Sequence, residues 1–501
     1  MTRKAVAHKI LVGLEIHVQL ATKTKMFTSA PNASGSLKAG GVPPEPNTAV
    51  DPVILGLPGT LPVINKRAVE FAMIAGLALN CEIAKYTKWD RKSYYYPDLP
   101  KNYQISQYDL PLCGTGTFEL VDEAGVTIPI RIRRAHLEED AGKLLHEAPG
   151  GYHINHSIVD LNRAGTPLLE IVTEPDFHTP RQVALFGQEL QKLVQFLGVS
   201  EGQMQLGHMR FEPNINVHIT DFEGKIHKTA ITEIKNLNSF AVLEKATAYE
   251  ISRQIREWEQ TGSLGKKSTY GWDEATQSTF HQRDKEEAHD YRYFPDPDLA
   301  PVTVDDAWLN SLKTQIGELP QARRSRYMNV LGLSEKDAGL ILTDKGTSDY
   351  FDAIVTGGIE AKKATSLIEA IREIASERGQ RLSELQLAPS FVVGVAKLAA
   401  EGKIGANKET TKTLINSALG GNATQPVEPE IMAESLGLIQ TTDVGAIDAA
   451  IDAMIASNPK SLQDYQGGKQ AALGSLVGMT MKLGKGLNAR TVQERLKERL
   501  K

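Results

Sequence analysis

The sequence predicts an α+β fold for its N-terminal part, with mixed or antiparallel strands and a few helices, followed by an all-α part. Up to about residue 305, segments of alternating apolar and polar residues are separated by turn clusters such as APGG and NRAGTP. Beyond that point, stretches rich in Ala, Leu, Lys and Glu, such as KATSLIEAIREIASERG, are typical of helices. The 501 residues also exceed what one hydrophobic core usually serves, so we expect more than one domain.

The first part contains four clear strand segments and two helices. In chain order the strand segments read ILVGLEIHVQL, VTIPIRIRRAHLEED, YHINHSIVDL and PLLEIVTE. The first helix begins at Thr179 and Pro180, carries one apolar stripe and closes at Gly198. The second begins near Ser239 and ends near Gly262. The proline-rich segment HDYRYFPDPDLAPV can continue neither a strand nor a helix. We therefore expect it to form a packed connecting segment through which the chain leaves the first part.

The second part is predicted to consist of helices joined by short connections. The stretch ALGGNATQPVEPE is rich in residues that favour turns, and it predicts a loop or a hinge between about residues 420 and 429. The last helix, in NARTVQERLKERLK, places Val492, Leu496 and Leu500 on one face.

Composition excludes several classes of protein. A hydrophobic share of 41% and a charged share of 23% exclude collagenous, low-complexity and wholly disordered chains. Cys81 and Cys113 are too few for a disulfide framework; Cys81 is interpreted as a core residue, and Cys113 beside Gly114 is no stronger candidate for a nucleophile. The first apolar run is stopped by Glu15, and no later stretch approaches the roughly 18 apolar residues of a membrane span. We therefore expect a soluble, cytoplasmic protein.

The charge is unevenly distributed along the chain. The formal net charge is -5, whereas the segment from Lys469 to the end has five Lys and three Arg against two Glu. This basic tail predicts either a contact with a polyanion or a pair of helices with solvated charges.

The segment GLEIHVQL contains the first candidate catalytic or metal-binding residues. Strand alternation places Glu15 and His17 on the same face, two residues apart. A carboxylate among apolar neighbours needs a partner or a metal ion, whereas a single histidine is more often a satisfied strand residue.

Three further segments carry polar clusters on predicted strands or turns. They are the acidic run Glu138, Glu139 and Asp140; the group Asp160, Asn162, Arg163 and Glu170; and the group Arg210, Glu212, Asn214, Glu233 and Lys235. Carboxylates together with His, Asn and Arg would suit a hard divalent cation and a bound phosphate. The alternative is that the acidic run forms an ordinary solvated face.

Common nucleotide and hydrolase motifs are absent from the sequence. It contains no G-x-x-x-x-G-K-[ST] loop, no G-x-G-x-x-G after a strand, no G-x-S-x-G elbow and no H-E-x-x-H helix. A nucleotide would therefore be bound outside those folds.

Several long motifs together resemble one family. They are GLEIHVQLATKTKMF, GLPGTLPVINKRAV, DRKSYYYPDLPKNYQISQ, HLEEDAGK, VDLNRAGTPLLEIVTEPD, EIKNLNSF and HDYRYFPDPDL. In this order they resemble the B subunit of the tRNA-dependent amidotransferase that makes Gln-tRNA(Gln) and Asn-tRNA(Asn). The resemblance implies a cradle domain at residues 1–305, a helical domain at 306–405 and a tail domain that contacts tRNA at 406–501.

The resemblance also implies a reaction and its site residues. The cradle would bind ATP and Mg²⁺, with Mn²⁺ as a possible substitute, phosphorylate the side-chain carboxylate of a misacylated tRNA, and let ammonia displace the phosphate. The implied residues are, for one Mg²⁺, His17, Glu139 and Glu170; for a second cation, Glu15, Glu212 and Glu233; for catalysis, Glu15, His17, Glu139, Glu170 and Arg163; for ATP, Asn162, Arg163, Arg210 and Lys235; and for tRNA, Lys482, Lys485 and Arg490.

The chain departs from the family pattern at two places. Many members carry a four-cysteine zinc knuckle where this chain has Thr28, Ala30, Asp51 and Ile54, so we predict no zinc. The family often has Asp where this chain has Glu212, which lengthens the ligand by one methylene.

The resemblance also implies partner subunits. No Ser-rich amidase signature is present, which agrees with the family's use of a separate amidase subunit and a small C subunit, so the resemblance implies a heterotrimer. Two alternatives remain: a non-catalytic tRNA-binding scaffold in the same type of complex, and a stand-alone metal-dependent amidohydrolase. The sequence leaves open whether Glu-tRNA(Gln), Asp-tRNA(Asn) or both are substrates.

Overall fold

The structure is a computed structural model that describes residues 3–35, 37, 41–148, 151–284, 288–420, 428–441, 443–466, 472–484 and 486–500. The strands are β1 Ala7–Gln19, β2 Tyr86–Thr87, β3 Asp90–Ser93, β4 Tyr103–Ser106, β5 Gly116–Val121, β6 Thr127–Glu139, β7 Lys143–Ala148, β8 Tyr152–Asp160, β9 Pro167–Thr173, β10 Met209–Thr220, β11 Ile226–Lys228, β12 Thr232–Lys235, β13 Ser268–Asp273, β14 Ser278–Asp284, β15 Phe294–Pro295 and β16 Val302–Thr303. The helices of the first unit are α1 Lys66–Ala78, α2 Pro180–Phe196, α3 Phe240–Thr261 and α4 Asp306–Ile316.

Two compact units make up the chain, residues 1–320 and 321–501. The first unit is built on a mixed sheet in which the strands lie in the order β14, β13, β12, β10, β1, β9, β6, β4, β3 and β15, with β11 beside β10 and β5 beside β6. All described pairs in this sheet are antiparallel except β12 with β13. The predicted α+β class is confirmed for this part.

The sheet has one covered face and one polar face, and β10 shows why. Its residues alternate strictly between buried and half-buried positions, as expected for a strand with only one side against a core. The buried ring of Phe211 contacts Phe240, with 5.6 Å between ring centroids. A side chain at Gly187 would collide with the rings of Phe240 and Phe211, so helices α2 and α3 approach this face closely. The other face therefore remains open for polar groups.

Both helices predicted in the first part are confirmed. The hydroxyl of Thr179 caps α2 by accepting a hydrogen bond from the backbone N–H of Gln182, and Pro180 is its first residue. Ser239 caps α3 in the same way, and α3 ends at Gly262, whose φ of 76° suits glycine.

The predicted exit segment lies after β14 and is attached to β3 by both strand pairing and side-chain hydrogen bonds from Arg91 to Asp296 and Asp298. β15 pairs with β3, and the N–H of Asp296 donates a hydrogen bond to the carbonyl of Trp89. α4 follows, and its Leu312 and Ile316 belong to the core of the first unit.

The two cysteines are buried and free. Burial raises the pKa of the Cys81 thiol to about 12 and raises that of Cys113 as well. Both therefore act as small core residues, as the sequence indicated for Cys81.

The second unit is entirely helical in its described residues. Its helices are α5 Pro320–Asn329, α6 Glu335–Ile341, α7 Lys345–Thr356, α8 Ala361–Glu377, α9 Pro389–Ala400, α10 Lys408–Gly420, α11 Pro429–Ser435, α12 Val444–Ser457, α13 Pro459–Gln466, α14 Ala472–Leu483 and α15 Ala489–Arg499. Helices α12, α14 and α15 share a small core that includes Ile451, Leu476, Val492 and Leu496. The predicted all-α part is confirmed, and the boundaries at residues 305 and 405 stay predictions.

Two other expectations concern this region. Most of the predicted loop around residues 420–429 lies outside the described residues. Among the helices that are described, none is long and apolar enough to cross a membrane.

Candidate active site

A polar cavity lies over the open face of the sheet. Its volume is about 480 Å³, and it extends across strands from β14 to β3. Charged and aromatic residues line most of it, including Glu15, His17, Glu170, Glu212 and Glu233. Glu15 and Glu212, which the sequence separates by nearly 200 residues, thus meet on adjacent strands.

The first cluster forms a row across β1, β9 and β6. The backbone register places His17 opposite Glu170, and Glu170 opposite His136. The Nε2 atoms of His17 and His136 lie 3.6 and 3.4 Å from Oε2 of Glu170. Glu138, two residues beyond His136 on the same face, brings Oε1 to 3.8 Å from Nε2 of His17.

Burial and mutual charge determine the ionisation of this row. Burial opposes a charge on His17, but the hydrogen bond to Glu170 and the charges of Glu212, Glu170 and Glu138 outweigh it and raise its pKa to about 9. Burial likewise opposes ionisation of Glu170, yet its contacts with His136 and His17 hold the pKa of this carboxyl well below its usual range. The row therefore keeps anionic oxygens in a largely buried place.

Glu138, and not the predicted Glu139, belongs to this cluster. The two residues are neighbours on β6, so strand alternation directs their side chains to opposite faces. Oε1 of Glu139 accepts a hydrogen bond from the backbone N–H of Ile105 at 3.0 Å and pairs with the ammonium of Lys101 at 2.5 Å. Glu138 therefore takes the position beside His17 and Glu170 that was predicted for Glu139.

The second cluster contains the three predicted carboxylates Glu15, Glu212 and Glu233. Glu15 and Glu212 lie directly opposite each other on β1 and β10, and an oxygen from each of the three lies within 4.8 Å of the others. The ammonium of Lys235 donates to Oε2 of Glu212 at 2.6 Å and lies 3.9 Å from Oε2 of Glu233. This lysine partly neutralises the cluster.

Both clusters fit a divalent cation by their chemistry. The ligand atoms of His17, Glu138 and Glu170 also lie within 4.8 Å of one another. Ligands about 2.1 Å from an octahedral ion are themselves roughly 3 Å apart, so small side-chain movements would close the shell. Carboxylates with one imidazole suit Mg²⁺ or Mn²⁺, and the three carboxylates would suit either ion without a nitrogen ligand. With Glu212, the longer side chain still reaches the second cluster.

The four residues predicted to contact ATP lie in different surroundings. Lys235 lines the cavity. Arg210 donates a hydrogen bond to Oδ2 of Asp140 at 3.0 Å, and Arg163 donates to the carbonyl of Ala141 at 3.0 Å. Asn162 donates to the carbonyl of Glu45 at 2.7 Å, which fixes a neighbouring loop. Asn162 and Arg163 thus hold backbone segments, and they are not among the described residues that line the cavity.

Sequence reasoning missed several residues of the cavity. Lys92 is one: burial opposes its charge, but Glu138, Tyr293 and Glu170 raise its pKa, so its ammonium stays charged. Tyr108 and Tyr293 stack almost in parallel, 4.2 Å between ring centroids. Lys92 and Tyr293 belong to motifs that carried the resemblance, DRKSYYYP and HDYRYFP, but only the fold brings them to the carboxylates. His136 could have been found from its even spacing with Glu138.

The positions of the family's zinc knuckle form a local polar contact in this chain. The hydroxyl of Thr28 donates to the carboxylate of Asp51, and Oδ1 of Asp51 accepts the backbone N–H of Ile54 at 3.0 Å. Ala30 and Ile54 are buried. The absence of zinc stays a prediction.

The predicted tRNA-contacting residues of the tail are placed as follows. Lys482 is exposed in the last turn of α14, and Arg490 is exposed at the start of α15 with Nε 3.1 Å from Glu494. Lys485 lies outside the described residues. Arg495 and Arg499 are paired with Asp448 and Asp452 of α12, which removes part of the positive charge of the tail.

Comparisons with known proteins give a consistent result. Residues 10–310 match the family described as the GatB/GatE catalytic domain, and residues 349–500 match the family described as the GatB domain. The B subunit of the aspartyl/glutamyl-tRNA(Asn/Gln) amidotransferase of Carboxydothermus hydrogenoformans is 41% identical over 496 residues, which cover 98% of this chain and 99% of that protein. The protein of the same name from Thermoanaerobacter pseudethanolicus is 42% identical over 496 residues, with the same coverage. That from Synechococcus elongatus is 42% identical over 483 residues, which cover 95% of this chain and 94% of that protein.

Proposed function

The chain belongs to the family of B subunits of aspartyl/glutamyl-tRNA(Asn/Gln) amidotransferases, and from this membership we propose that it catalyses the ATP-dependent amidation of Glu-tRNA(Gln), Asp-tRNA(Asn) or both. The observation that carries the proposal is the pair of carboxylate clusters on one face of the sheet, inside one cavity. Phosphoryl transfer needs charge neutralisation and positioning more than covalent chemistry, and such clusters supply both through bound cations.

The proposed reaction has two steps. A carboxylate oxygen of the tRNA-bound side chain attacks the γ-phosphorus of ATP, and the bond to ADP breaks. The nitrogen of ammonia then attacks the carbonyl carbon of the acyl phosphate, inorganic phosphate leaves, and the nitrogen loses a proton. The first step turns a poor acyl donor into a good one, because phosphate is a far better leaving group than oxide.

Each group of residues has a part in the first step. His17, Glu138 and Glu170 would hold one divalent cation, and Glu15, Glu212 and Glu233 would hold a second. Bound cations would neutralise the charge that accumulates on the phosphoryl oxygens.

Two features of the protein would act without a metal ion. The ammonium of Lys92 is charged within the cavity and would contact phosphate oxygens directly. The stacked rings of Tyr108 and Tyr293 border the same cavity and would limit the access of water to an acyl phosphate.

Ammonia is proposed to come from another polypeptide. Both cysteines of this chain are buried with raised thiol pKa values, so neither is available as a glutaminase nucleophile. We propose a heterotrimer with an amidase subunit that releases ammonia and with a small C subunit. The second candidate function is a non-catalytic scaffold. One observation favours it: the ammonium of Lys235 partly neutralises one carboxylate cluster, so that cluster can exist without a metal ion.

The tail is proposed to contact tRNA through its exposed face. Gly474, Gly478 and Lys482 follow one another at intervals of four on α14, all exposed, so an RNA backbone can approach this helix closely. Lys482, Lys485 and Arg490 are the proposed phosphate contacts. The cradle would then comprise residues 1–305, and the helical and tail domains would meet near residue 405.

One assay separates catalysis from scaffolding. The purified chain is given misacylated Glu-tRNA(Gln) or Asp-tRNA(Asn), ATP and Mg²⁺, with either glutamine or a high concentration of ammonium. We expect no product with glutamine, slow ATP-dependent amidation with ammonium, and fast amidation with glutamine once the amidase and C subunits are added. Glutamine-dependent product from the chain alone would overturn the division of labour. A complex that amidates normally after Glu170→Gln would make this chain a scaffold.

A further inference from the structure

The open face of the sheet carries a second charged feature, remote from the carboxylates. Lys9 on β1 lies opposite His218 on β10, and His218 lies opposite Lys228 on β11. Adjacent strands are about 4.8 Å apart, so this cationic row crosses roughly 10 Å of sheet. Three basic side chains therefore stand side by side on three neighbouring strands.

The cationic row has no internal compensation. Among the described residues, no ion pair joins an acidic side chain to Lys9, His218 or Lys228, and both lysines are exposed. Burial and the charges of Lys228 and Lys9 lower the pKa of His218, so its imidazole is less readily charged and the positive charge of the row rests on the two lysines.

The position of the row relates it to the candidate active site. Lys9 and Glu15 both have odd numbers on β1, and the register between β1 and β10 is unbroken from Ala7 to Val18, so both side chains point to the same face. Six residues of strand separate them, which corresponds to about 20 Å. A polyanion that lies across this face would thus contact the row with one part and reach the carboxylates with another.

We propose that the row Lys9, His218 and Lys228 binds the phosphodiester backbone of the RNA whose aminoacyl end enters the carboxylate cavity. This inference rests on the proposed function, because that function places an aminoacyl-RNA end beside Glu15 and Glu170. An RNA backbone supplies anionic groups at regular spacing along a line, so it can contact Lys9 and Lys228 together, with His218 between them.

The test measures tRNA binding by the full-length chain, in complex with its partner subunits, over a series of salt concentrations. The variant is Lys9→Ala/Lys228→Ala. The matched control is Lys192→Ala/Lys245→Ala, which removes the same charge from α2 and α3 on the covered side of the sheet. Each phosphate contact contributes about 0.7–0.9 to the slope of log Kobs against log salt. We expect the slope to flatten by roughly 1.5 in the variant and to stay unchanged in the control.

Further readouts decide between the possible outcomes. Lys9→Arg/Lys228→Arg should restore the slope, and the alanine variant should raise KM for misacylated tRNA without changing kcat. An unchanged slope, with affinity within about twofold of the control, would overturn the proposal. The proposal would also be overturned if the alanine variant bound tRNA normally but assembled less well with the partner subunits. The row would then contact an acidic surface of a partner subunit instead of RNA. If the slope flattens but the wild-type complex never amidates tRNA, the RNA contact stands and the proposed function fails.

Discussion

Glu138 and Glu139 are adjacent acids with different surroundings, so they offer a sharp test of the proposed cation site. We expect Glu138→Gln to weaken binding of Mg²⁺ or Mn²⁺, because it removes an anionic oxygen from the group of His17 and Glu170. We expect Glu139→Gln to leave cation affinity within about threefold of wild type, because its carboxylate faces Lys101 instead.

The expected magnitudes follow from the two environments. Removal of a side chain that only orients a ligand typically costs 10–100-fold in metal affinity, so loss of a ligand itself should cost at least ~100-fold, or about 2.7 kcal/mol. Glu139→Gln removes one partner of an ion pair whose side chains are 2% and 11% exposed. Such a loss typically costs about 3 kcal/mol of folding free energy, although the amide oxygen can still accept the N–H of Ile105.

Two measurements on the full-length chain distinguish these effects. Titration calorimetry with Mn²⁺ reports cation affinity, and urea unfolding followed by tryptophan fluorescence reports the first unit, which contains all four tryptophans. Glu170→Gln serves as the positive control for lost affinity. Equal losses of Mn²⁺ affinity in the Glu138 and Glu139 variants, with no difference in unfolding, would refute the assignment of faces on β6.

Two other predictions concern a buried lysine and the tail. Burial lowers the pKa of Lys25 from its ordinary 10.5 to about 8, although the charges of Asp51, Glu139 and Asp160 act in the opposite direction. The charged lysine therefore destabilises the folded state below pH 8. This cost disappears as pH rises from 8 to 10.5, because the folded state loses the proton before the unfolded state does. Lys25→Met should therefore be more stable than wild type by about 2–3 kcal/mol at pH 7 in urea unfolding, and an advantage that persists undiminished at pH 10 would contradict the cause. Deletion of residues 443–501, which removes α12–α15 but leaves α11 against α9, should raise KM for misacylated tRNA at least ~10-fold in steady-state amidation assays with ammonium, while kcat stays the same. An unchanged KM would mean that the basic tail is only a solvated surface.

The sequence predicted the fold class and the two long helices because those depend on local signals. The cap at Thr179, the glycine at 262 and the alternation of β10 are each readable within a few residues. The convergence of Glu15, Glu212 and Glu233 was predicted only through the family resemblance. Strand pairing across 200 residues leaves no local trace, so composition and periodicity alone could not have grouped them.

The family resemblance implied Glu139 as a ligand beside His17 and Glu170, whereas the structure brings Glu138 to that group, and strand alternation in the sequence does not decide easily between the two. Three consecutive acids at the end of a strand provide no apolar residue to show which of them faces the core, so the phase of alternation is ambiguous there. The preceding residues resolve it: Ala135 and Leu137 are fully buried on the side of the core, which places His136 and Glu138 together on the other side. Lys92 and the stacked tyrosines could not be predicted, because their role depends on which strands meet at the cavity.

Glu15 and His17, one from each carboxylate cluster, occupy the same strand with a single residue between them. Peptide geometry alone therefore sets the spacing of the two clusters along this strand, at about 7 Å. Over evolutionary time, a substitution such as aspartate for glutamate at position 212 can adjust the reach of one ligand. An insertion or deletion between positions 15 and 17 would instead turn one cluster away from the other, so this strand should tolerate changes of side chain but not of length.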